Sequence, residues 1–235
     1  MRKLFVWTPA CCGEPRHVDM VRVQSLLAQR MRRRMPGTEV VSGVICDYCA
    51  EPLEPLLLSA CDPFEIRQIG LPADAEPQKW GIRRPTNYSI RLAGQLGATH
   101  VLRVIQDTYV DDCDAFCGNL GPWLDREDRW LGANLEYWAT NYHFDICRRM
   151  GLPTRYELNY PQGAVLIAPL ETWQRVYLAM PMEIHHHLDD VVMGVSAESM
   201  GIPLLNMPKT WSHLHHCDPA VSSDYYLRHL AELGE

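Results

Sequence analysis

The chain has 235 residues, of which 47% are hydrophobic and 22% charged, enough to bury one large core and too apolar for wholesale disorder. A formal net charge of −7 gives no long-range pull toward nucleic acid or an anionic membrane, so neither is an expected partner. No run approaches the roughly 20 consecutive apolar residues of a membrane-spanning helix. The apolar start at residues 4–7 stops at Pro9, shorter than the core of an export signal. The expected location is therefore the cytoplasm, with no anchor.

In chain order, residues 4–7 predict a buried strand leading into Thr8-Pro9. Residues 18–34 predict a helix, with Val23, Leu26, Leu27 and Met31 on one side and Pro36-Gly37 as its stop. The basic run Arg30, Arg32, Arg33 and Arg34 falls in its last turns, where cations complement the helix dipole. Residues 40–46 read as a second strand, and 51–80 as a proline-rich stretch without period. Residues 86–96 form a helix closed by Gly97, and 99–105 a strand with Gln106-Asp107-Thr108 at its carboxyl end. Residues 118–150, rich in Trp and Tyr, read as helical. A strand at 163–168, helices at 170–180 and 188–200, a strand at 202–206 and a helix at 225–233 complete the chain. This alternation predicts one α/β domain with a mostly parallel central sheet flanked by helices.

In such a sheet, ligands bind beyond the carboxyl ends of the strands. Asp107 lies there and can meet a divalent ion whose shell is completed by phosphate oxygens, or can cap the following turn. Asp189-Asp190 opens the helix at 188–200, where one acid can cap while the other acts as a general base. His185, His186 and His187, with His213, His215, His216 and Cys217, are numerous enough to suggest zinc, but no Cys-x-x-Cys or His-Glu-x-x-His spacing joins them. Nine scattered cysteines, with one Cys46-x-x-Cys49 spacing, are expected to be free thiols. No Gly-x-Gly-x-x-Gly or Walker-type Gly-Lys-Ser/Thr sequence is present, which argues against a dinucleotide or P-loop site.

Four segments also stand in a recognisable order. Residues 87–110, NYSIRLAGQLGATHVLRVIQDTYV, resemble the helix, strand and Asp-x-Asp loop of GT-A fold glycosyltransferases, in particular the fringe and β-1,3-galactosyltransferase group. Residues 160–168, YPQGAVLIA, are similar to that group's glycine-containing strand beside the donor sugar. Residues 188–194, LDDVVMG, resemble its Glu/Asp-Asp-Val-x-x-Gly helix start, and residues 211–214, WSHL, its closing His-Ser-His-Leu.

The resemblance implies a single GT-A-like (Rossmann-like) domain over 1–235, with 1–110 as the nucleotide-binding half and 111–235 as the acceptor side. It implies an inverting, metal-assisted glycosyltransferase that takes a UDP-linked sugar to a glycan or other hydroxyl acceptor. Asp107 and His213 would hold Mn2+ or Mg2+. Asp190 would be the base, with Asp189 beside it as the helix cap or the group that orients the acceptor. Arg83, Arg84, Asn87 and Gly163 would line the nucleotide-sugar site. The sequence departs from the group at Ile105 and Gln106, where two loop aspartates are replaced, and at Trp211, which stands in place of a histidine. Arg83 or Arg84 could then meet part of the charge on the leaving diphosphate. A non-catalytic relative that binds a nucleotide sugar or glycan, and a zinc-dependent hydrolase built on the histidines, are the alternatives.

Overall fold

The structure, a computed structural model, describes residues 2–71, 82–136, 141–153, 160–178 and 189–213. Strand β1 (Arg2–Cys12) is buried on both faces from Leu4 to Trp7, as a central parallel strand requires. Helix α1 (Pro15–Arg34) begins with proline, which lacks the amide hydrogen that a first turn cannot use, and ends in Arg32, Arg33 and Arg34. Strand β2 (Thr38–Cys49), helix α2 (Glu54–Ala60), strand β3 (Ile66–Ile69), helix α3 (Arg83–Gln95) and strand β4 (His100–Val104) follow. Beyond them lie β5 (Thr108–Val110), α4 (Cys113–Leu124), β6 (Leu131–Glu136), α5 (Asn141–Arg149) and β7 (Tyr160–Pro169). A short helix α6 (Leu170–Thr172) widens into π-helical geometry over Trp173–Tyr177, and α7 (Asp189–Ser199), β8 (Leu204–Asn206) and β9 (Trp211–His213) come last.

The strands form a seven-stranded sheet in the order β3-β2-β1-β4-β7-β6-β8. The first four run parallel, β6 and β8 are parallel to each other, and β7 runs against both of its neighbours. Strands β5 and β9 make a separate antiparallel pair. This is the expected α/β layout with a mostly parallel sheet. Two apolar clusters centre on the middle strands, one around Phe5, Trp7, Leu166 and Trp173, the other around Leu4, Leu102, Ile167 and Trp130. Glycines set two close approaches. A Cβ on Gly194 would come 2.5 Å from Pro161 Cδ, so its absence lets α7 lie down on β7. A Cβ on Gly132 would come 2.3 Å from the Trp123 ring, which packs edge-on to the fully buried Trp130.

Three sequence expectations need correction. Residues 118–150 are not one helical region, because β6 lies inside them. Its sequence LGANLE lacks β-branched residues, and its extended form comes from pairing with β7 and β8. The irregular stretch after residue 50 contains α2 and β3. The strand at 4–7 extends to Cys12, carrying the chain further into the crevice described below. The expected helix at 225–233 lies outside the described residues, as do His185, His186, His187, His215, His216 and Cys217.

Candidate active site

Strand order reverses direction between β1 and β4, so the connections leave on opposite faces and a crevice opens beyond their carboxyl ends. Helices α1 and α3, each lying between parallel strands, both start at this edge, where their amide ends favour an anion.

Asp107 follows the end of β4 in this crevice. Ile105 before it packs against the buried cluster around Leu102, so the first replaced aspartate has become a core contact. Gln106 turns inward: its Oε1 accepts from Cys11 N at 2.8 Å, and its Nε2 donates to His17 O at 3.0 Å and Cys11 O at 3.4 Å. Strand β5 begins next to Asp107, and Thr108 pairs in register with His213 of β9. The two residues expected to hold a metal are thus brought alongside each other by backbone pairing across more than 100 residues of sequence; the His213 side chain lies outside the described part.

His17, missed from the sequence, sits in the first turn of α1. Its Nδ1 accepts the amide hydrogens of Gly13 and Glu14 at 3.2 and 3.3 Å, which leaves Nε2 as the protonated nitrogen. Burial, and then Arg16, push its pKa below the usual value, while the fields of Glu14 and Asp107 oppose the shift.

Asp190 lies in the first turn of α7. Its Oδ2 accepts from Gly163 N at 2.9 Å and its Oδ1 from Val191 N at 2.8 Å. A Cβ on Gly163 would come 2.6 Å from Asp190 Oδ2, so the glycine is what lets the carboxylate reach the strand. On the other side of that residue, Gly163 O accepts from Arg103 Nη2 at 3.4 Å. Arg103 is fully buried, also meets Thr86 Oγ1 at 3.5 Å, and places its guanidinium 5.7 Å from the Trp173 ring centroid. Gly163 itself lies in a part of β7 that loses register with β6, between the pairs Ala133↔Leu166 and Leu135↔Pro161. Asp189 opens the same helix, but its side chain lies outside the described part.

Arg83, Arg84 and Asn87 occupy the first turns of α3. Arg83 and Asn87 are buried. Arg84 pairs with Asp47 at the end of β2 across 3.3 Å and donates to Leu71 O at 3.4 Å. Burial raises the Asp47 pKa, and Arg84 opposes that shift. This pair also escaped sequence reading, since 37 residues separate its members and neither stands in a motif.

The cysteines near the crevice act as packing groups. Cys12, Cys46 and Cys61 are buried in one cluster. Cys46 Sγ donates to Tyr48 O at 3.0 Å. Contact with Cys12, then burial, push the Cys46 thiol far up, and burial first of all raises Cys61 to about 12, so these sulfurs stay protonated near neutrality. The eight described cysteines are all free thiols.

No family model and no curated protein matches the sequence. Solved structures match the fold. The galactosyltransferase LgtC, solved with donor and acceptor sugar analogues, aligns with a TM-score of 0.56 at 15% identity, over 98% of this chain and 96% of its own. Glucosyl-3-phosphoglycerate synthase from Mycobacterium tuberculosis, solved with Mn2+, uridine diphosphate and phosphoglyceric acid, aligns at 0.57 and 14% identity over 99% of this chain and 78% of its own. A cytidylyltransferase from Leptospira borgpetersenii aligns at 0.53 and 10% identity, covering 89% and 77%. The chain therefore has the GT-A glycosyltransferase fold. That architecture also supports nucleotidyl transfer in the third of these proteins, so the reaction has to be argued from the site.

Proposed function

We propose that the chain is a glycosyltransferase that moves a sugar from a nucleotide donor, UDP-linked, to an acceptor hydroxyl with inversion. The observation that carries this reading is the convergence of the Asp107 loop, the β9 backbone at His213 and the Gly163–Asp190 contact at one edge of a GT-A sheet. The motif order over residues 87–214 supports a place near the fringe and β-1,3-galactosyltransferase group. Residues 1–110 form the nucleotide half and 111–235 the acceptor side.

The donor set suits a hard divalent ion bound in part by the protein. Asp107 offers carboxylate oxygen and His213 imidazole nitrogen, while Ile105 offers no ligand and the Gln106 amide is engaged elsewhere. Mn2+ or Mg2+ at these two residues would neutralise charge developing on the departing diphosphate. The amide ends of α1 and α3 favour the same anion.

Asp190 takes the proton of the acceptor hydroxyl as that oxygen bonds to the anomeric carbon. The bond from that carbon to the donor phosphate oxygen breaks, and the diphosphate leaves with the electron pair. Each Asp190 oxygen accepts one amide hydrogen and has lone pairs for more than one donor, so the carboxylate is held in place while keeping acceptor capacity toward a hydroxyl. Asp189 orients the acceptor or caps the helix.

The test is a thermal-shift screen of nucleotide sugars with and without Mn2+, followed by transfer assays on the donors that bind. A melting-point rise with a UDP-sugar, together with turnover, supports the proposal. Binding without turnover points to a non-catalytic relative. Pyrophosphate release from a nucleoside triphosphate points to a nucleotidyltransferase, and stoichiometric zinc with hydrolysis points to a zinc enzyme.

A further inference from the structure

The loop that carries Asp107 is gripped by two glutamines. Gln24 lies in the middle of α1 and is 2% exposed. Its Nε2 donates to Thr108 O at 2.5 Å and to Gln106 O at 3.3 Å. These carbonyls belong to the residues immediately before and after Asp107. The residues around Gln24 on α1, among them Val21, Leu27, Ala28 and Met31, are apolar and buried. A buried amide on such a helix is costly unless its hydrogen bonds are made; here the Nε2 end makes two, while Oε1 meets no partner among the described residues. Two carbonyl acceptors fix which end of the amide faces the loop. Gln106 then reaches in the opposite direction, to both the N–H and the C=O of Cys11 and to His17 O. Together the two side chains tie the Asp107 loop to the end of β1, the first turn of α1 and the middle of α1, across 82 to 95 residues of sequence.

We propose that Gln24 and Gln106 are positioning residues that hold Asp107 in its crevice geometry with neutral amide hydrogen bonds, so the loss of the loop's other carboxylates is an exchange of metal ligation for a preformed loop. Asp107 is set through its own backbone. Gln106, in a position that looks like a lost ligand, is half-buried and occupied in both directions by main-chain partners. Returning an acid there removes the two N–H bonds it donates and shortens its reach to Cys11. This assignment of what the loop positions rests on the transferase reading; the clamp on the loop does not.

Two variants test it with two independent readouts. Gln24→Leu keeps the bulk and removes the donor. Gln106→Asp restores a carboxylate. Hydrogen exchange by mass spectrometry on Gln24→Leu should show peptides over residues 105–110 opening about tenfold or more faster, with β2 and β7 peptides unchanged. Calorimetry with UDP and Mn2+ should show binding weakened about 10–100-fold in Gln24→Leu, as for groups that orient a metal ligand, and no tighter than wild type in Gln106→Asp. Unchanged exchange over 105–110 in Gln24→Leu overturns the clamp. Tighter Mn2+–UDP binding by Gln106→Asp overturns the exchange of roles, as does a Gln24→Leu protein that exchanges faster yet binds Mn2+–UDP normally. If the wild-type protein binds no UDP at all, the transferase reading falls, while the exchange experiment still decides whether the glutamines hold the loop.

Discussion

Asp107 and Asp190 stand at the same edge of the sheet and are held in opposite ways. Asp107 is fixed through its chain neighbours, with the carbonyls on either side of it gripped by Gln24. Asp190 is fixed through its own carboxylate, each oxygen of which accepts a backbone amide hydrogen. A loop gripped at the carbonyls on either side of its carboxylate has its backbone in place ahead of any ligand, which suits an ion or phosphate that comes and goes. A carboxylate bonded to main chain is set in position as part of the fold before any substrate arrives. The difference predicts distinct consequences when each is altered.

The largest effect is expected at Asp190. Asp190→Asn removes basicity and should lower turnover about 10²–10⁴-fold, with donor binding nearly unchanged. Because the Asp190 carboxylate also joins α7 to β7, the variant should in addition unfold at a lower temperature. Asp189→Asn should cost less turnover. A protein with full activity after both substitutions would end the inverting mechanism proposed here. Asp107→Ala comes next: Mn2+ should no longer strengthen UDP binding, a loss of about 10–100-fold. An Asp107→Ala protein whose UDP binding Mn2+ still strengthens would end the metal role given to Asp107.

Gly163→Ala sharpens the same contrast from the strand side. The added Cβ would sit 2.6 Å from Asp190 Oδ2, and neither the short aspartate nor β7 can move far. A loss of stability of about 1–3 kcal/mol in urea unfolding is expected, with turnover falling less than in Asp190→Asn. An alanine variant of wild-type stability would show that the Asp190–Gly163 contact does not hold the carboxylate.

The two acids also show what the sequence could and could not reveal. The strand running into Gln106-Asp107-Thr108 was visible because Val101, Leu102, Val104 and Ile105 form an apolar run, broken only by Arg103, before a polar turn. Asp190 was visible because acids cluster at helix starts. The supports of both were hidden. Gln24 looks like one polar residue in an amphipathic helix, and its meaning lies in carbonyls 82 and 84 residues away. Arg103 sits in an apolar strand where its charge looks out of place, and Gly163 explains it only once β7 is laid antiparallel beside β4. Strand β6 was hidden by composition, since Leu, Ala and Glu favour helices and only the neighbouring strands make LGANLE extended. Pairing of β5 with β9, which brings His213 to Thr108, likewise depends on contacts that no local pattern records.

The smallest effect lies at the other end of β4, and it keeps pH measurements on the active site interpretable. His100 is buried beside Trp130, with ring centroids 5.9 Å apart. Its Nδ1 lies 3.0 Å from Thr99 Oγ1, whose own hydrogen goes to Lys3 O, so the imidazole is the donor in that contact. The second proton of an imidazolium would have to sit on Nε2, which meets no hydrogen-bond partner among the described residues. Burial, and then Arg2, accordingly lower the His100 pKa to about 4. A histidine that titrates near 6.5 when unfolded and near 4 when folded takes up protons preferentially in the unfolded chain between those values. Its contribution is therefore complete above about pH 6.5 and is lost progressively as the pH falls toward 4, about 1–2 kcal/mol of it between pH 7 and pH 5. His100→Phe keeps an aromatic ring against Trp130 and removes the titration. Urea midpoints at pH 5, 6 and 7 should converge in this variant relative to wild type, while the pH profile of turnover should keep its shape, because the proposed site lies at the opposite edge of the sheet. If the turnover profile shifts with His100→Phe, the two edges are coupled; if the urea midpoints keep their wild-type spread, the pH-dependent group lies elsewhere.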